Sequence, residues 1–546
     1  MLLHLDVSCV IIMLQNNDNR RIIMNKKVWQ TLACITMASI TAFSVTACKN
    51  NTSGGNKDEV TTIRVDLHGW TPTINSTSTA GVKAFNSPKY IAKEFETLHK
   101  NKVKIEWVRD KDLTLSAEDV AQYFSLAIEQ NDCPSIAFTW GTTFQERGWY
   151  VDLTQYLSEQ NSYEDATDLK NKPWREAFDE YVWHSNRIQS YDRKIEAVPL
   201  TVIAGSAKPV YYNVANVKDL GYVENANPST INDYEFGITN PVNWSTWLEL
   251  AETAKGQNAK YLIDLSNYPA TSNNWLMQFE LGPAYLSYAT QFIDTDHNGY
   301  IDNAELLQGT VDGYLNPVTQ PYAKELLTKC KYYMSMLSEN NLDTKEWLNG
   351  NAVAAYKGSV GYTPQKDENL PYKWEMVPTP VCDDSQYTKD YVTWGSLDDA
   401  KPDVDLYLNV MRAGVTKDGT LTGEIDENKL YYSVEFLKYL TTREANSAMI
   451  DEMNTSIGAV KGADKPAWLS KSAYAKCQFA TTTNSNAWPS GFTLQYNTAL
   501  DAVFSSWVKG TGDYKNDDVF FAEWNRLQVA GARDMAQKLN ITLTSK

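Results

Sequence analysis

The chain has 546 residues, of which 43% are apolar and 21% are charged. This length exceeds one ordinary domain, so two or three compact units are expected, and the composition excludes wholesale disorder, a coiled coil and a multi-span membrane protein. The net charge of −17 argues against nucleic acid as a partner, because phosphate binding depends on clustered lysine and arginine. The 17 tryptophans and 32 tyrosines are an unusual supply of aromatic rings, which can stack on flat apolar ligand faces.

The beginning of the chain carries a targeting pattern. A short basic segment starts at Met24, an uncharged and largely apolar run follows, and residues 24–47 end in small side chains before Cys48. This pattern predicts a secretory signal peptide and resembles the bacterial lipoprotein signal, in which the cysteine becomes the lipidated N-terminus. The alternative is a transmembrane helix, but polar residues interrupt the run. We interpret residues 1–23 as a gene-start artefact upstream of Met24.

Residues 48–60 are predicted to be a flexible tether, because they are polar and contain several asparagines and glycines. A lipid anchor and a tether together predict a soluble body held at the extracellular face of the cell membrane. Four cysteines lie beyond the anchor: Cys133, Cys330, Cys382 and Cys477. They lack C-x-x-C spacing, so zinc binding and thioredoxin-type chemistry are not expected. The compartment permits a disulfide, whose pairing the sequence leaves open.

Strands and amphipathic helices alternate after the tether. The predicted strands cover 62–67, 103–107, 134–140 and 210–213. The predicted helices begin at Ser87 and Ser116 and then cover 244–256, 322–337, 431–453 and 517–538. The alternation in the first part predicts an α/β fold with a parallel sheet covered by helices.

Several short motifs occur in a fixed order: IAKEFE at 91–96, PSI at 134–136, GWYVDL at 148–153, YYN at 211–213, LNGNAVAA at 348–355 and EFLKYLTT at 435–442. In this order, after a lipoprotein signal, they resemble the extracellular solute-binding proteins of sugar type, family 1, that serve bacterial ABC importers. The resemblance implies a periplasmic-binding-protein-like fold of two α/β lobes. A hinge that the chain crosses more than once would join the lobes, and the ligand would lie in the cleft between them, outside the carboxyl ends of the strands.

The lobe boundaries also follow from the resemblance. It implies that the N-terminal lobe comprises 61–200 and 382–440, and that the C-terminal lobe comprises 201–381 and 441–546. The chain departs from the family by an extra stretch from about 265 to 320.

Residues 294–305, within this extra stretch, match every position of the EF-hand calcium loop, D-x-[DN]-x-[DN]-G-x5-E. Calcium takes about six to eight oxygen ligands. The predicted ligands are Asp294, Asp296, Asn298, the backbone carbonyl of Tyr300, Asp302 directly or through water, and Glu305 as a bidentate ligand. The alternative is an acidic surface loop. Because only one such loop is present, we expect bound Ca2+ to have a structural role and not a cooperative sensing role.

The candidate carbohydrate site consists of aromatic and planar polar side chains in loops that follow strands. The aromatic candidates are Trp70, Trp140, Trp275, Trp394 and Trp488, and the hydrogen-bonding candidates are Asp66, His68, Asn274 and Glu280. Sugar faces stack on aromatic rings, while carboxylates and amides meet the hydroxyl groups. For each tryptophan the alternative is ordinary packing in the core or on the surface.

No catalytic motif is present: the sequence lacks H-E-x-x-H, G-x-S-x-G, a P-loop and a dinucleotide fingerprint. Motifs alone do not exclude a hydrolase, but the family resemblance implies a binding protein and not an enzyme. It would be a monomer that captures a carbohydrate, preferably an oligosaccharide, and delivers it to the membrane subunits of an ABC permease. The alternatives are a receptor for peptide or another small solute on the same scaffold, an anchored glycoside hydrolase, which needs only two placed carboxylates, and a surface adhesin.

Overall fold

The structure is a computed structural model of the chain. It describes residues 60–67, 87–108, 117–130, 132–139, 145, 147–203, 210–213, 216, 261–264, 276–335, 350, 352–356, 372, 374–377, 384–394, 403–412, 426–450, 457–464, 480–482 and 487–544. The predicted signal peptide, Cys48, almost all of the tether, Cys382 and Cys477 lie outside the described residues. Cys133 is a buried free thiol, and Cys330 is also buried. None of the described helices is long and apolar enough to span a membrane.

Fourteen strands and ten α-helices occur in the described part of the chain. The strands are β1 Thr61–Asp66, β2 Val103–Trp107, β3 Ile136–Ala137, β4 Val198–Pro199, β5 Thr201–Ile203, β6 Val210–Asn213, β7 Tyr261–Asp264, β8 Ala352–Tyr356, β9 Trp374–Val377, β10 Val392–Trp394, β11 Asp403–Val404, β12 Tyr407–Val410, β13 Ile457–Gly458 and β14 Ala480–Thr482. The helices are α1 Ser87–Leu98, α2 Ala117–Glu129, α3 Thr154–Leu157, α4 Gly282–Ile293, α5 Asn303–Val311, α6 Pro321–Ser335, α7 Glu427–Leu440, α8 Arg443–Ile450, α9 Leu494–Val508 and α10 Asp517–Lys538.

The first sheet has five strands in the order β2-β1-β3-β12-β4. β1 pairs in parallel with β2 and β3, as the alternating pattern predicts. β12 comes from far along the chain and lies antiparallel between β3 and β4. The predicted parallel pairing is thus confirmed for the first three strands, but the complete sheet is mixed. The alternating pattern describes only neighbouring elements of the chain and not a strand that is added later.

The second sheet has the order β7-β8-β6-β9 and is also mixed. β6 runs antiparallel to both of its neighbours, whereas β7 and β8 are parallel. A three-stranded sheet, β11-β5-β13, joins chain segments near residues 201, 403 and 457. Because β4 and β5 are separated by a single residue yet belong to different sheets, the chain leaves the first sheet at this point.

Helices α1 and α7 pack on the first sheet, where Ile63, Val65, Phe95 and Phe436 are completely buried. We call this group of packed residues the first core. It also contains Ala445, Met449, Ala459 and Val460. The first core therefore extends beyond residue 440, where the motif resemblance places a lobe boundary, and the exact boundaries stay a prediction.

The single helix predicted over 431–453 is two helices, α7 and α8. The break lies at Thr441 and Thr442. The Thr441 hydroxyl accepts a hydrogen bond from the indole N–H of Trp174 at 2.8 Å, and the Thr442 hydroxyl accepts the backbone N–H of Ala445 at 3.2 Å. Thr442 thus caps the start of α8, a role that apolar periodicity alone does not reveal.

Helix α10 closely approaches the backbone of the segment just before α9. A Cβ atom on Gly531 of α10 would lie 2.0 Å from the carbonyl oxygen of Gly491. Only glycine fits there, because backbone cannot give way as the end of a flexible side chain can.

We expect Gly531→Ala to destabilise the protein by about 1–3 kcal/mol, the usual cost of overpacking a filled interior. Thermal melting measures the change as a lower melting temperature. Ala522→Ser, at an exposed position on the same helix, is the control and should melt close to the wild type. An unchanged melting temperature for Gly531→Ala would contradict the close approach.

Candidate functional site

Polar side chains gather at the carboxyl edge of the first sheet. Asp66 is the last residue of β1 and is 0% exposed, and Thr139 follows β3 and is equally buried. The Thr139 hydroxyl donates to Asn409 Oδ1 at 2.8 Å and accepts from the hydroxyl of Tyr150 at 2.7 Å. Ligands of open α/β sheets bind outside this edge, so Asp66 lies beside the predicted cleft, although protein covers its side chain in this structure.

Most of the other predicted carbohydrate contacts fall outside the described residues: Trp70, His68, Trp140, Asn274 and Trp275. For two more, the backbone alone is described. Glu280 lies in the π-helix Leu276–Leu281, which leads into α4, and Trp394 is the last residue of β10. The grouping of these residues into one site stays a prediction.

Trp488 is the one predicted stacking residue whose side chain the structure describes. It is 2% exposed, its Cβ would lie 2.5 Å from a Cβ on Gly282, and its ring meets that of Tyr322 edge-on at 6.4 Å. Its backbone N–H donates to the carbonyl of Gln278 at 3.0 Å. Trp488 therefore packs as a core residue here, next to the start of α4, and its stacking role stays a prediction.

Glu196 is a buried acid that sequence reasoning missed. It stands just before β4 and is 8% exposed, and its Oε2 has no hydrogen-bond partner among the described residues. Burial raises the pKa of its carboxyl group to about 8; nearby Asp192 adds to the rise, and Lys194 opposes it. Its sequence neighbours could have indicated burial, because Ile195 precedes Glu196 and an apolar AVPL run follows it.

The raised pKa of Glu196 makes stability depend on pH. The folded protein keeps this proton up to about pH 8, whereas an unfolded glutamate releases it near its ordinary pKa of 4.5. Between these values the folded state binds more protons, so stability falls as the pH rises through this window. We expect the free energy of unfolding of Glu196→Gln to match that of the wild type near pH 4.5 and to exceed it above pH 8 by up to about 5 kcal/mol.

Melting curves from pH 5 to pH 9 measure this effect as a growing difference in melting temperature between variant and wild type. Glu176→Gln, at an exposed glutamate, is the matched control. A difference for Glu196→Gln that stays constant over the whole range would contradict the assignment.

The predicted calcium loop lies between α4 and α5, in a helix–loop–helix arrangement. Carboxylate oxygens of Asp294, Asp296 and Glu305 all lie within 4.8 Å of one another. The loop turns sharply at Gly299, whose φ of +85° favours glycine. The backbone N–H of Gly299 donates to Asp294 Oδ2 at 2.9 Å, and that of Tyr300 donates to Asn298 Oδ1 at 2.8 Å. The side chains of three predicted ligands, Asp294, Asp296 and Glu305, thus lie close together.

The end of the loop is also the start of α5. The Asp302 side chain accepts the backbone N–H of Glu305 at 2.8 Å, and Glu305 Oε2 accepts that of Asp302 at 3.1 Å, which is a capping box. Glu305 Oε1 accepts the backbone N–H of Thr295 at 2.7 Å. Glu305 is therefore held against both ends of the loop.

The loop concentrates negative charge in a buried place. Asp294, Asp302 and Glu305 are all more than nine-tenths buried. In the part of the chain that the structure describes, Arg193 is the one cationic residue within 4 Å of these carboxylates, with its Nε 3.0 Å from Asp302 Oδ2. Buried like charges are costly unless a cation neutralises them, and hard oxygen donors of this kind suit calcium.

Comparison with known proteins places the fold. No family model and no curated protein matches the chain. Among solved structures, the chain is similar to a chitin oligosaccharide binding protein with a TM-score of 0.52 and 13% identity, over 87% of this chain and 100% of that one. It is also similar to the cyclic alpha-maltosyl-1,6-maltose binding protein of Arthrobacter globiformis with a TM-score of 0.53 and 11% identity, again over 87% and 100%.

The chain has the two-lobe α/β fold of the solute-binding proteins. The comparison therefore confirms the fold that the sequence motifs imply. Asp66 and Thr139 lie at the ends of strands β1 and β3, and their place in the ligand cleft stays a prediction.

Proposed function

We propose that the protein is a receptor that captures a carbohydrate, preferably an oligosaccharide, and catalyses no reaction on it. The observation that carries the proposal is the likeness in fold to two oligosaccharide-binding proteins, each covered over its whole length by this chain. The abundance of tryptophan supports it, because aromatic faces bind sugar rings. The net charge of −17 favours neutral sugars over acidic ones.

In this proposal the two lobes close around the sugar. Closure is a population shift, driven by contacts that the sugar makes only in the closed state. The protein would be a monomer anchored through Cys48 at the extracellular face of the membrane, and it would deliver the sugar to the membrane subunits of an ABC permease. The anchor and the permease rest on the sequence pattern and the family resemblance.

A thermal-shift screen tests the proposal with a panel of neutral chitin and maltose-type oligosaccharides. A sugar at 100-fold above its dissociation constant adds about 2.7 kcal/mol, so the melting temperature should rise by a few degrees or so. We expect Trp140→Ala and Trp394→Ala to remove the shift. Tyr431→Ala, at an exposed aromatic residue of α7, is the matched control and should retain it.

The fate of the sugar separates the alternatives. Recovery of intact sugar after a shift supports a receptor, whereas recovery of cleaved sugar would favour an anchored hydrolase. The absence of any shift across the panel would contradict the carbohydrate proposal and would favour a receptor for peptides or other small solutes on the same fold.

The second part of the proposal is that residues 294–305 bind Ca2+. Asp294, Asp296, Asn298, Asp302 and Glu305 would supply side-chain oxygens, and Tyr300 would supply its carbonyl. The clustered, buried carboxylates support this proposal, since a divalent cation would neutralise them. Its role would be to stabilise the extra helix–loop–helix segment.

Chelation should lower the melting temperature of the wild type and leave Glu305→Gln unaffected. Glutamine has one acceptor oxygen, which can still take the backbone N–H of Asp302 that caps α5. The substitution therefore removes the charged bidentate ligand and the hydrogen bond from Thr295 but spares the cap. With calcium at 100-fold above its dissociation constant, the expected difference is about 2.7 kcal/mol. Asp513→Asn, an exposed acid outside the loop, loses the same charge and should keep the calcium response. Equal melting of chelated and calcium-loaded wild type would refute the site.

A further inference from the structure

A turn that belongs to the first core docks beside the calcium loop. Gln189 and Ile195 form a bridge, and the backbone N–H of Ser190 donates to the carbonyl of Lys194 at 2.8 Å, which closes the turn between them. Ile188 and Ile195, on either side, are buried in the first core. We call residues 189–194 the docking turn.

The docking turn makes polar contacts with the end of the loop and the first residue of α5. Arg193 Nε lies 3.0 Å from Asp302 Oδ2. The Asn303 side-chain amide donates to the carbonyl of Gln189, and also to that of Asn186 at 3.3 Å. Just before the turn, the ring of His184 stacks on that of Tyr300, with centroids 4.5 Å apart and planes 2° from parallel.

An apolar contact anchors the tip of the turn. Tyr191 is buried in a cluster with Leu307 of α5, Phe492, and Met535 of α10. Its ring meets that of Phe492 at 5.7 Å. These partners belong to the helical part of the predicted second lobe, so the docking turn carries a side chain from the first core into a separate core.

Residues 302–307 take part both in the predicted calcium site with its helix cap and in the contact with the docking turn. Asp302 is a predicted calcium ligand, caps α5 and pairs with Arg193. Asn303 follows it, and Leu307 lies one turn further along α5. A cation that fixes Asp302 and Glu305 would therefore also fix the start of α5, which is the surface on which the docking turn rests.

We infer that the loop and the docking turn form a calcium-dependent latch between the two lobes. Calcium held by residues 294–305 orders the start of α5, which then holds the docking turn and limits the relative movement of the lobes. This inference rests on the proposed calcium site. Because coupling between sites is reciprocal, a state of the lobes that favours the docked turn also binds calcium more tightly.

Hydrogen exchange on the full chain, with Ca2+ and with a chelator, tests the latch with the metal alone as the probe. In the wild type, calcium should slow exchange both in peptides covering 294–305 and in peptides covering the docking turn. The expected effect on the turn is about tenfold, within the usual range for coupled sites. Glu305→Gln should abolish both effects.

Two variants of Tyr191 separate the latch from the metal site. Tyr191→Ala removes the apolar anchor and touches no calcium ligand, so calcium should still protect 294–305 but no longer protect the docking turn. Tyr191→Phe keeps the ring and should behave as the wild type. Arg193→Gln is an independent test at a half-exposed position, because it breaks the ion pair with Asp302. It should reduce the protection from exchange that calcium gives to the docking turn.

Each outcome decides between the proposals. If calcium protects the loop but leaves exchange in the docking turn of the wild type unchanged, the latch is wrong and the calcium site stands. If neither segment responds, both are wrong, while the carbohydrate proposal is judged by its own melting screen. A full calcium response of the turn in both Tyr191→Ala and Arg193→Gln would also overturn the latch.

Discussion

The first sheet depends on one long-range insertion, that of β12 between β3 and β4. Asn409 of this strand accepts from Thr139 at 2.8 Å and donates to the carbonyl of Glu196 at 2.8 Å, so its amide ties the strands on both sides. Thr139 and Asn409 are 270 residues apart. The first sheet cannot be completed by residues 60–200 alone, and the chain must return to it after building the second sheet, as the two-lobe fold requires.

In contrast to the first sheet, the helix–loop–helix segment is held in shape mainly by interactions between residues that are close in the sequence. The capping box of Asp302 and Glu305, the turn at Gly299 and the hydrogen bonds to Asp294 all form within twelve residues. Its position in the molecule is nonetheless decided by distant residues. Arg193 and Tyr191 reach it from the first core, so a locally ordered segment becomes part of the contact between two cores.

Sequence patterns predicted the elements with strong local signals. Ser87 and Pro88 mark the start of α1, and α10, Asp517–Lys538, has the predicted bounds. The same reasoning merged α7 and α8, because the apolar period continues across Thr441 and Thr442. It also missed the antiparallel β12, since the direction of a strand within a sheet is not encoded in its own period.

The sequence by itself determined the α/β class, the two-lobe resemblance, and the order of oxygen-bearing residues in 294–305, because these depend on local period, caps and spacing. The tertiary structure alone decided that Glu196 is buried with a raised pKa, that Trp488 packs beneath α4, and that Asp302 pairs with Arg193. Each of these features depends on residues that are distant in the sequence and that only the folded chain brings together. A local sequence pattern therefore cannot predict burial or charge pairing.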